Sequence, residues 1–397
     1  MINKSTLQEW IKTGETFVLE KQVITGDFAG IDLSGGAFQE VDFSNACLDN
    51  ALLKECNFIK CTFNNTSFKN TQFIYSNFVE CSGNYIQAEG STWQNTSFIN
   101  SQLKQINLAN TRHKATSFVE TGLTQSNWKS VFAEQVSLVD SDLTSGQLIQ
   151  AEFKNLSCVN CNLNASRWKK SYVDQCSFIN CSLEQADLTD LSGFRLNLIE
   201  CQLETMQLLN TTIELPFFKK ADLTKRDFTQ SGLIKPQFQE CDLSYSNFRN
   251  MDLSQTGMMK ARAIGCDFTG AILNQANLIE AQLNKAVFNL CEMNMALFNK
   301  ADLQQTLFHK VQAEQAQFTE CNATEAVFTA SNLTYADFSH ALLTKADFRD
   351  TELNRTNLHC ILDPGTLWEG ANRNAALETD PVREKAEKMA KQSSTGK

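Results

Sequence analysis

Fourteen cysteines and four histidines are the side chains of this 397-residue chain with the most chemistry to offer. Thiolates and imidazoles can ligate zinc, pair as disulfides, or serve as nucleophile and base. Each use demands convergence, because zinc wants donors at tetrahedral corners and a nucleophile wants a base within hydrogen-bond reach. The spacing of the cysteines points elsewhere. Cys56, Cys61, Cys81, Cys161, Cys176, Cys181, Cys201, Cys241, Cys266, Cys291 and Cys321 stand on one five-residue frame. Of these, Cys61, Cys81, Cys161, Cys181, Cys201, Cys241 and Cys321 are also related by multiples of twenty, and alanine fills the same slot at Ala221, Ala261, Ala281 and Ala301. A cysteine interchangeable with alanine is a small apolar packer. A straight row of thiols cannot surround a metal, and parallel stacked side chains suit a disulfide poorly. No metal, disulfide or cofactor is expected, and so many unpaired thiols point to a reducing, cytoplasmic location.

Nor do the other reactive residues converge. His113 falls in a large apolar slot of the frame, whereas His309, His340 and His359 fall at outward positions. Asp222, Asp242, Asp252 and Asp267 each precede a large residue, as a structural repeat requires. Glycine-rich phosphate loops, HExxH and GxSxG are absent from the sequence. An enzyme needs a concave pocket with convergent polar groups. An unbroken coil offers none, so catalysis is not expected.

The element that positions all these residues is the frame itself. From Phe28 to Leu358, every fifth residue gives 67 positions, and 58 of them are Leu, Phe, Trp, Met, Ile or Val. The frame takes 24 of the 28 phenylalanines. A period of five fits neither the 3.6 of a helix nor the 2 of a strand, so the chain is a repeat array. Each unit reads small, polar, large apolar, polar, variable, as in Ala221-Asp222-Leu223-Thr224-Lys225 and Ala346-Asp347-Phe348-Arg349-Asp350. A longer period lies above it. One row twenty residues apart is leucine from Leu103 through Leu123, Leu143 and on to Leu243; another is phenylalanine from Phe228 through Phe248 to Phe348. Insertion of a partial coil would break these rows, so the array is read as free of looped-out segments.

These units resemble those of the pentapeptide-repeat family, whose motif is written A(D/N)LxX. The resemblance covers about 335 residues of the chain. It implies an all-β fold, a right-handed four-sided parallel β-helix with one pentapeptide per side, twenty residues per coil and coils about 4.8 Å apart. Sixty-seven units then make roughly 17 coils. Bulges or bends are expected at weak rungs: Gly83 and Ala88, His113, Ala133, Cys158, Gly193, and Pro216 with Pro236, since proline removes a ladder donor.

The ends depart from the frame. Ser5-Thr6-Leu7-Gln8 begins a helix with Leu7, Trp10 and Ile11 on one face and Gly14 as its stop. Thr16 to Leu19 and Gln22 to Ile24 read as a strand covering the first coil, as an open solenoid end demands. Residues 1–25 are thus a cap, 26–362 the β-helix, and 363–397 a C-terminal tail closing at Asp363-Pro364-Gly365, with a short basic helix from Val382 to Lys391 or disorder. No run of 18 apolar residues predicts a membrane span, and the polar N-terminus does not read as an export signal. With 35 basic against 45 acidic residues the net charge is −10, which argues against nucleic acid as a direct partner.

Function must then lie on outward rows. One row alternates Glu200, Lys220, Glu240, Lys260, Glu280, Lys300, Glu320 and His340, echoing Glu40, Lys60 and Glu80, and reads as a self-satisfied charge ladder. Another carries Ile59, Val79, Ile99, Val119, Val139, Val159, Ile179 and Ile199, preceded by a small polar row from Asn57 to Asn197. An exposed apolar stripe of this length usually marks an interface, although β-branched residues also stack well on any flat ladder. Val287, Leu307 and Val327 form a shorter stripe on another side. The expected function is a non-catalytic, rod-shaped protein-binding scaffold or adaptor. Family resemblance implies two further settings: accessory proteins or effectors of bacterial secretion systems, and DNA mimics that bind gyrase and protect it from quinolones or toxins. A homodimer packed side by side is the third reading.

Overall fold

The chain was analysed as a computed structural model that describes residues 2, 4–12 and 18–395, with the side chains of 10–12 and 391–395 excepted. It forms two compact units, Met1–Pro216 and Phe217–Lys397. The division falls where the repeat is least regular. Pro216 and Pro236 occupy small slots, Arg226 puts a charge in a slot that otherwise holds small polar or apolar residues such as Thr66, Ile106 and Met206, and Leu208 is only half-buried.

In the first unit all four sides of the coil pair in parallel at a register of twenty. Asp42 bridges Thr62 and Cys47 bridges Ser67; strand Leu52–Lys54 pairs with Gln72–Ile74, and Asn57–Ile59 with Asn77–Val79. Two sides carry three-residue strands, and the other two carry mostly single bridges, with short strands at Ser82–Asn84 beside Gln102–Lys104 and Gly26–Asp27 beside Ala46–Cys47. Helix α1, Lys4–Lys12, puts Leu7 fully out of solvent. The strand Val18–Glu20 pairs with Ala37–Gln39, and Val23 bridges Asp42. Gly14, Thr16 and Phe17 lie outside the described residues, as do the Trp10 and Ile11 side chains.

The second unit keeps the same register, through bridges Asp222 to Asp242, Asn247 to Asp267, Asp252 to Ile272 and Gly257 to Asn277. Beyond Gln239 the described pairs are isolated bridges, so strand-bearing turns are fewer than the roughly 17 coils that repeat counting predicts. Pairing does not close at Asp363. It continues to Leu367 and Leu377, because the backbone ladder needs no large side chain to propagate. Helix α2, Pro381–Thr395, then follows, with Asp380 Oδ1 accepting from the Val382 and Arg383 amides at 2.8 and 3.2 Å. Asp380 is a helix N-cap with proline at the first position beyond it.

Three local rules hold the coils. The fifth residue of nearly every unit sits at φ near +55°, for example Asn45 at 63° and Lys60 at 53°. That corner costs an ordinary residue on the order of 1 kcal/mol and suits asparagine and glycine. Aspartates before the large residue cap the corner: Asp222, Asp242, Asp252 and Asp267 each accept from the amide two residues on, at 2.9 to 3.0 Å. Large residues fill the axis as stacked rings, such as Phe268 on Phe288 with centroids 4.6 Å apart and planes 2° apart.

The expected bulges do not occur. Leu103 pairs with Gly83, His113 with both Trp93 and Ala133, Cys158 with Leu138 and Phe178, and Gly193 with Val173 and Ile213. Register is carried by backbone bonds, which a small side chain does not interrupt. The prolines are tolerated for a related reason. On their row the amides of Ser76, Thr96 and Thr116 make no backbone bond, and Cys56 donates to Ser76 Oγ, so proline removes no ladder donor there.

Candidate protein-binding surface

Ile59, Val79, Ile99, Val119, Val139, Val159, Ile179 and Ile199 are brought into one line, each beside the next in register on successive parallel strands of the first unit. The middle residue of each strand is buried and the two flanking ones face out. At about 4.8 Å per coil the line runs roughly 34 Å. Ile59, Ile99 and Ile179 are 40%, 41% and 38% exposed, and the valines are half-buried against one another. Beside it runs the small polar row, bonded along its first three coils: Asn77 Nδ2 donates to Asn57 Oδ1 at 2.9 Å, and Ser97 Oγ donates to Asn77 Oδ1 at 2.6 Å. The surface is therefore an apolar seam along a row of small polar side chains.

Along the corner beyond the seam, Lys60 pairs with Glu80 at 3.6 Å and the row then carries Glu120, Asp140 and Glu200; in the second unit the corresponding charges alternate and pair, Lys260 with Glu280 at 3.7 Å and Lys300 with Glu320 at 3.8 Å. These side chains are about half exposed, so each pair contributes roughly 0.2–1 kcal/mol. The adjacent strand row of the first unit is mixed. There Arg112 and Lys154 lie over the Phe132 ring at 5.8 and 5.4 Å, a cluster that repeat phase alone did not single out. Val287, Leu307 and Val327 also line up by consecutive bridges, with only Leu307 clearly exposed.

The interior thiols are quieter than their number suggests, and also more engaged. Cys56, Cys61, Cys81 and Cys266 donate S–H to the carbonyls of Leu33, Phe38, Phe58 and Leu243 at 3.0, 3.3, 3.4 and 2.8 Å. Threonine and serine in the same slot do likewise, as in Thr66 to Phe43 O at 2.8 Å. The slot thus takes a small residue with one donor, which the reading of cysteine as a plain small hydrophobe left out. All fourteen cysteines are free thiols. Burial pushes Cys56, Cys241, Cys266 and Cys291 up to about 12, which leaves almost no thiolate at neutral pH. Because the other twelve are buried, alkylation of native protein should modify at most Cys47 and Cys360, the two partly exposed thiols, and reach fourteen only on unfolding. Rapid native labelling of more than two thiols, read by mass spectrometry, would contradict this packing.

Two site expectations change. His359 is not outward but 1% exposed, because α2 lies over it. A shallow groove of about 650 Å³ also exists in the second unit, bordered by Gly232, Lys235, Arg249 and Asp252. Its charges are committed, Arg249 to Asp267 at 2.8 Å and Asp252 to the Ser254 amide, so they do not converge on an open centre.

Comparison with known proteins accords with the coil geometry. A model described as a pentapeptide repeat region matches residues 31–108, and one described as pentapeptide repeats (8 copies) matches 237–275, 259–289 and 324–359. A pentapeptide repeat protein of the Arabidopsis thaliana thylakoid lumen is 30% identical over 26% of this chain and 69% of its own, with a TM-score of 0.17. This chain belongs to the pentapeptide-repeat family. Other pentapeptide-repeat structures it resembles include HetL, involved in heterocyst differentiation regulation in the cyanobacterium Nostoc sp., at 17% identity over 96% of this chain and 98% of that one, TM-score 0.12. The plasmid-mediated fluoroquinolone resistance protein QnrB1 is 15% identical over 64% of this chain and 95% of its own, TM-score 0.18. Scores this low leave the repeat as the common ground and carry no argument about partners. No curated protein matches the chain. Among the described residues of this pentapeptide-repeat protein, no helix is long and apolar enough to cross a membrane.

Proposed function

We propose that this pentapeptide-repeat protein is a non-catalytic, cytoplasmic protein-binding scaffold whose docking surface is the seam from Ile59 to Ile199. The observation that carries the reading is the register: eight β-branched apolar side chains aligned without interruption on eight successive strands. Stacking alone would be served equally by Thr, which is as β-branched but carries a hydroxyl in place of one methyl. A seam of Ile and Val beside small, uncharged Asn and Ser can be covered without burying a charge. Such a surface fits the flat face of a partner protein, in an adaptor role of the kind secretion-system accessories fill, or a second copy of this chain. Imitation of duplex DNA toward a topoisomerase is less well supported. That role asks for a repeated acidic row along the whole array; Glu80, Glu120, Asp140 and Glu200 share one row of the first unit, but in the second unit the row alternates and pairs, Lys260 with Glu280 and Lys300 with Glu320.

Burial of about 400 Å² of seam contributes on the order of 10 kcal/mol gross. Association and ordering costs consume much of this, so micromolar affinity is expected. Val119→Lys with Val139→Lys places two charges mid-seam while leaving the inward Phe118 and Leu138 untouched. The double variant should melt within a few degrees of wild type yet lose self-association in light scattering, or lose a captured partner. Unchanged mass and unchanged capture together would reduce the seam to a well-stacked strand surface.

A further inference from the structure

At the C-terminal end of the second unit, three different donor types meet on two elements. His340 and Cys360 stand twenty residues apart on one corner row, at φ 61° and 54°. Helix α2 brings Glu387 over them. The ligand atoms of His340, Cys360 and Glu387 all lie within 4.8 Å of one another, and His340 Nε2 is 3.0 Å from Glu387 Oε2. Zinc–ligand bonds of about 2.0–2.3 Å give tetrahedral edges of roughly 3.3–3.8 Å. One edge is thus already closed, and the others need side-chain adjustments of about 1 Å.

The surroundings orient this set. His359, 1% exposed beneath α2, accepts the Asp380 amide at Nδ1, 3.1 Å away. Its remaining proton therefore sits on Nε2, which lies 3.3 Å from Glu387 Oε2 and 3.4 Å from Cys360 Sγ. That arrangement makes His359 a positioning residue for the carboxylate, the outer-shell role that conserves ligand geometry in metal sites. Arg383 holds the other oxygen of Glu387 at 2.8 Å, which leaves Oε2 directed at the cluster. A cavity of about 500 Å³ opens beside the donors, bordered also by Ile361, Thr379 and Glu384, with room for an ion and a water.

We propose that His340, Cys360 and Glu387 form a binding site for a borderline-soft divalent cation, zinc by donor chemistry, that fastens α2 onto the end of the coil. Mixed nitrogen, sulfur and oxygen donors favour zinc over magnesium or calcium, which take oxygen alone. Three protein ligands leave the fourth position to water from the cavity. Binding releases the thiol proton of Cys360 and moves the His340 proton from Nε2 to Nδ1, and the ion replaces the His340–Glu387 contact as the link between coil and helix. The cation would act as a structural clasp at an open solenoid end, where capping is otherwise weakest.

The test uses the full-length chain stripped with chelator and titrated with Co²⁺ and then Zn²⁺ as chlorides. One Co²⁺ per chain should bind with a thiolate-to-cobalt charge-transfer band and tetrahedral visible bands, and Zn²⁺ should bleach both. Cys360→Ser should abolish the charge-transfer band, and His340→Asn and Glu387→Gln should each weaken binding by about 100-fold or more. His359→Gln should weaken it roughly 10–100-fold while the thiolate band persists. His309→Asn, on another row, should change nothing. Because wild-type cobalt spectra need no variant, a folding failure cannot mask the outcome. Absence of the thiolate band, or an unchanged band in Cys360→Ser, overturns the proposal.

Discussion

Phe268→Asp should prevent the second unit from folding. Phe268 is fully buried, stacked between Phe248 at 5.0 Å and Phe288 at 4.6 Å. Truncation of a buried phenylalanine costs about 3–5 kcal/mol, and each lost ring stack roughly 0.5–1.5 kcal/mol more. An unpaired carboxylate in the same place adds several kcal/mol, whether it stays charged or takes up a proton. The total, near 8 kcal/mol, rivals the whole stability of an ordinary domain. In a coil there is no second layer to absorb the damage, since each rung contacts only its neighbours. Lys285→Asp is the matched control: the residue is exposed at a corner with φ 60°, a conformation aspartate tolerates. Far-ultraviolet circular dichroism and limited proteolysis distinguish the two. A native spectrum for Phe268→Asp, melting within a few degrees of wild type, would show that the axis is not packed as described.

Most of this architecture is legible in the sequence because backbone pairing in a coil repeats with the side-chain pattern. The five-residue frame names the buried row, and identity at twenty names the stacked neighbour; Phe58 beside Phe78 and Val119 beside Val139 follow directly. Weak rungs misled the same reasoning, because Gly83 and Gly193 change the filling of the axis and not the ladder that sets register. What lay outside the frame was harder to read. Arg226 in a small slot marks the irregular stretch, yet only its position on the frame hints at that. His340 and Cys360 share a corner row and so are legible as neighbours. Their meeting with Glu387 depends on where a non-repeating helix docks, and periodicity holds no information about it.

Acid should destabilise the first unit earlier than its carboxylates alone require, and His113 is the reason. It fills a large slot at 1% exposure, its ring parallel to Trp93 within 4° at 5.9 Å. Thr111 Oγ1 donates to the Leu108 carbonyl at 2.6 Å and so accepts from His113 Nε2 at 3.0 Å. Nδ1 is then a buried lone pair with no partner, and a proton placed there would find no acceptor. Burial lowers this imidazole from 6.5 to about 3. The unfolded chain takes up a proton below pH 6.5 that the folded chain refuses, so the neutral-state stability is intact above 6.5 and is lost as pH falls toward 3. Each pH unit in that window costs about 1.4 kcal/mol, or roughly 3 kcal/mol by pH 4. His113→Leu supplies a side chain of similar volume with no orphaned nitrogen. It should equal or exceed wild type at pH 7, by about 1–3 kcal/mol where the lost polar burial is fully recovered, and the gap should widen steadily toward pH 4. Carboxylate titration is common to both proteins, so the difference between their melting curves isolates the imidazole. Parallel pH profiles would mean that the ring reaches solvent or a partner when protonated, and that the axis near Trp93 is looser than its stacking suggests.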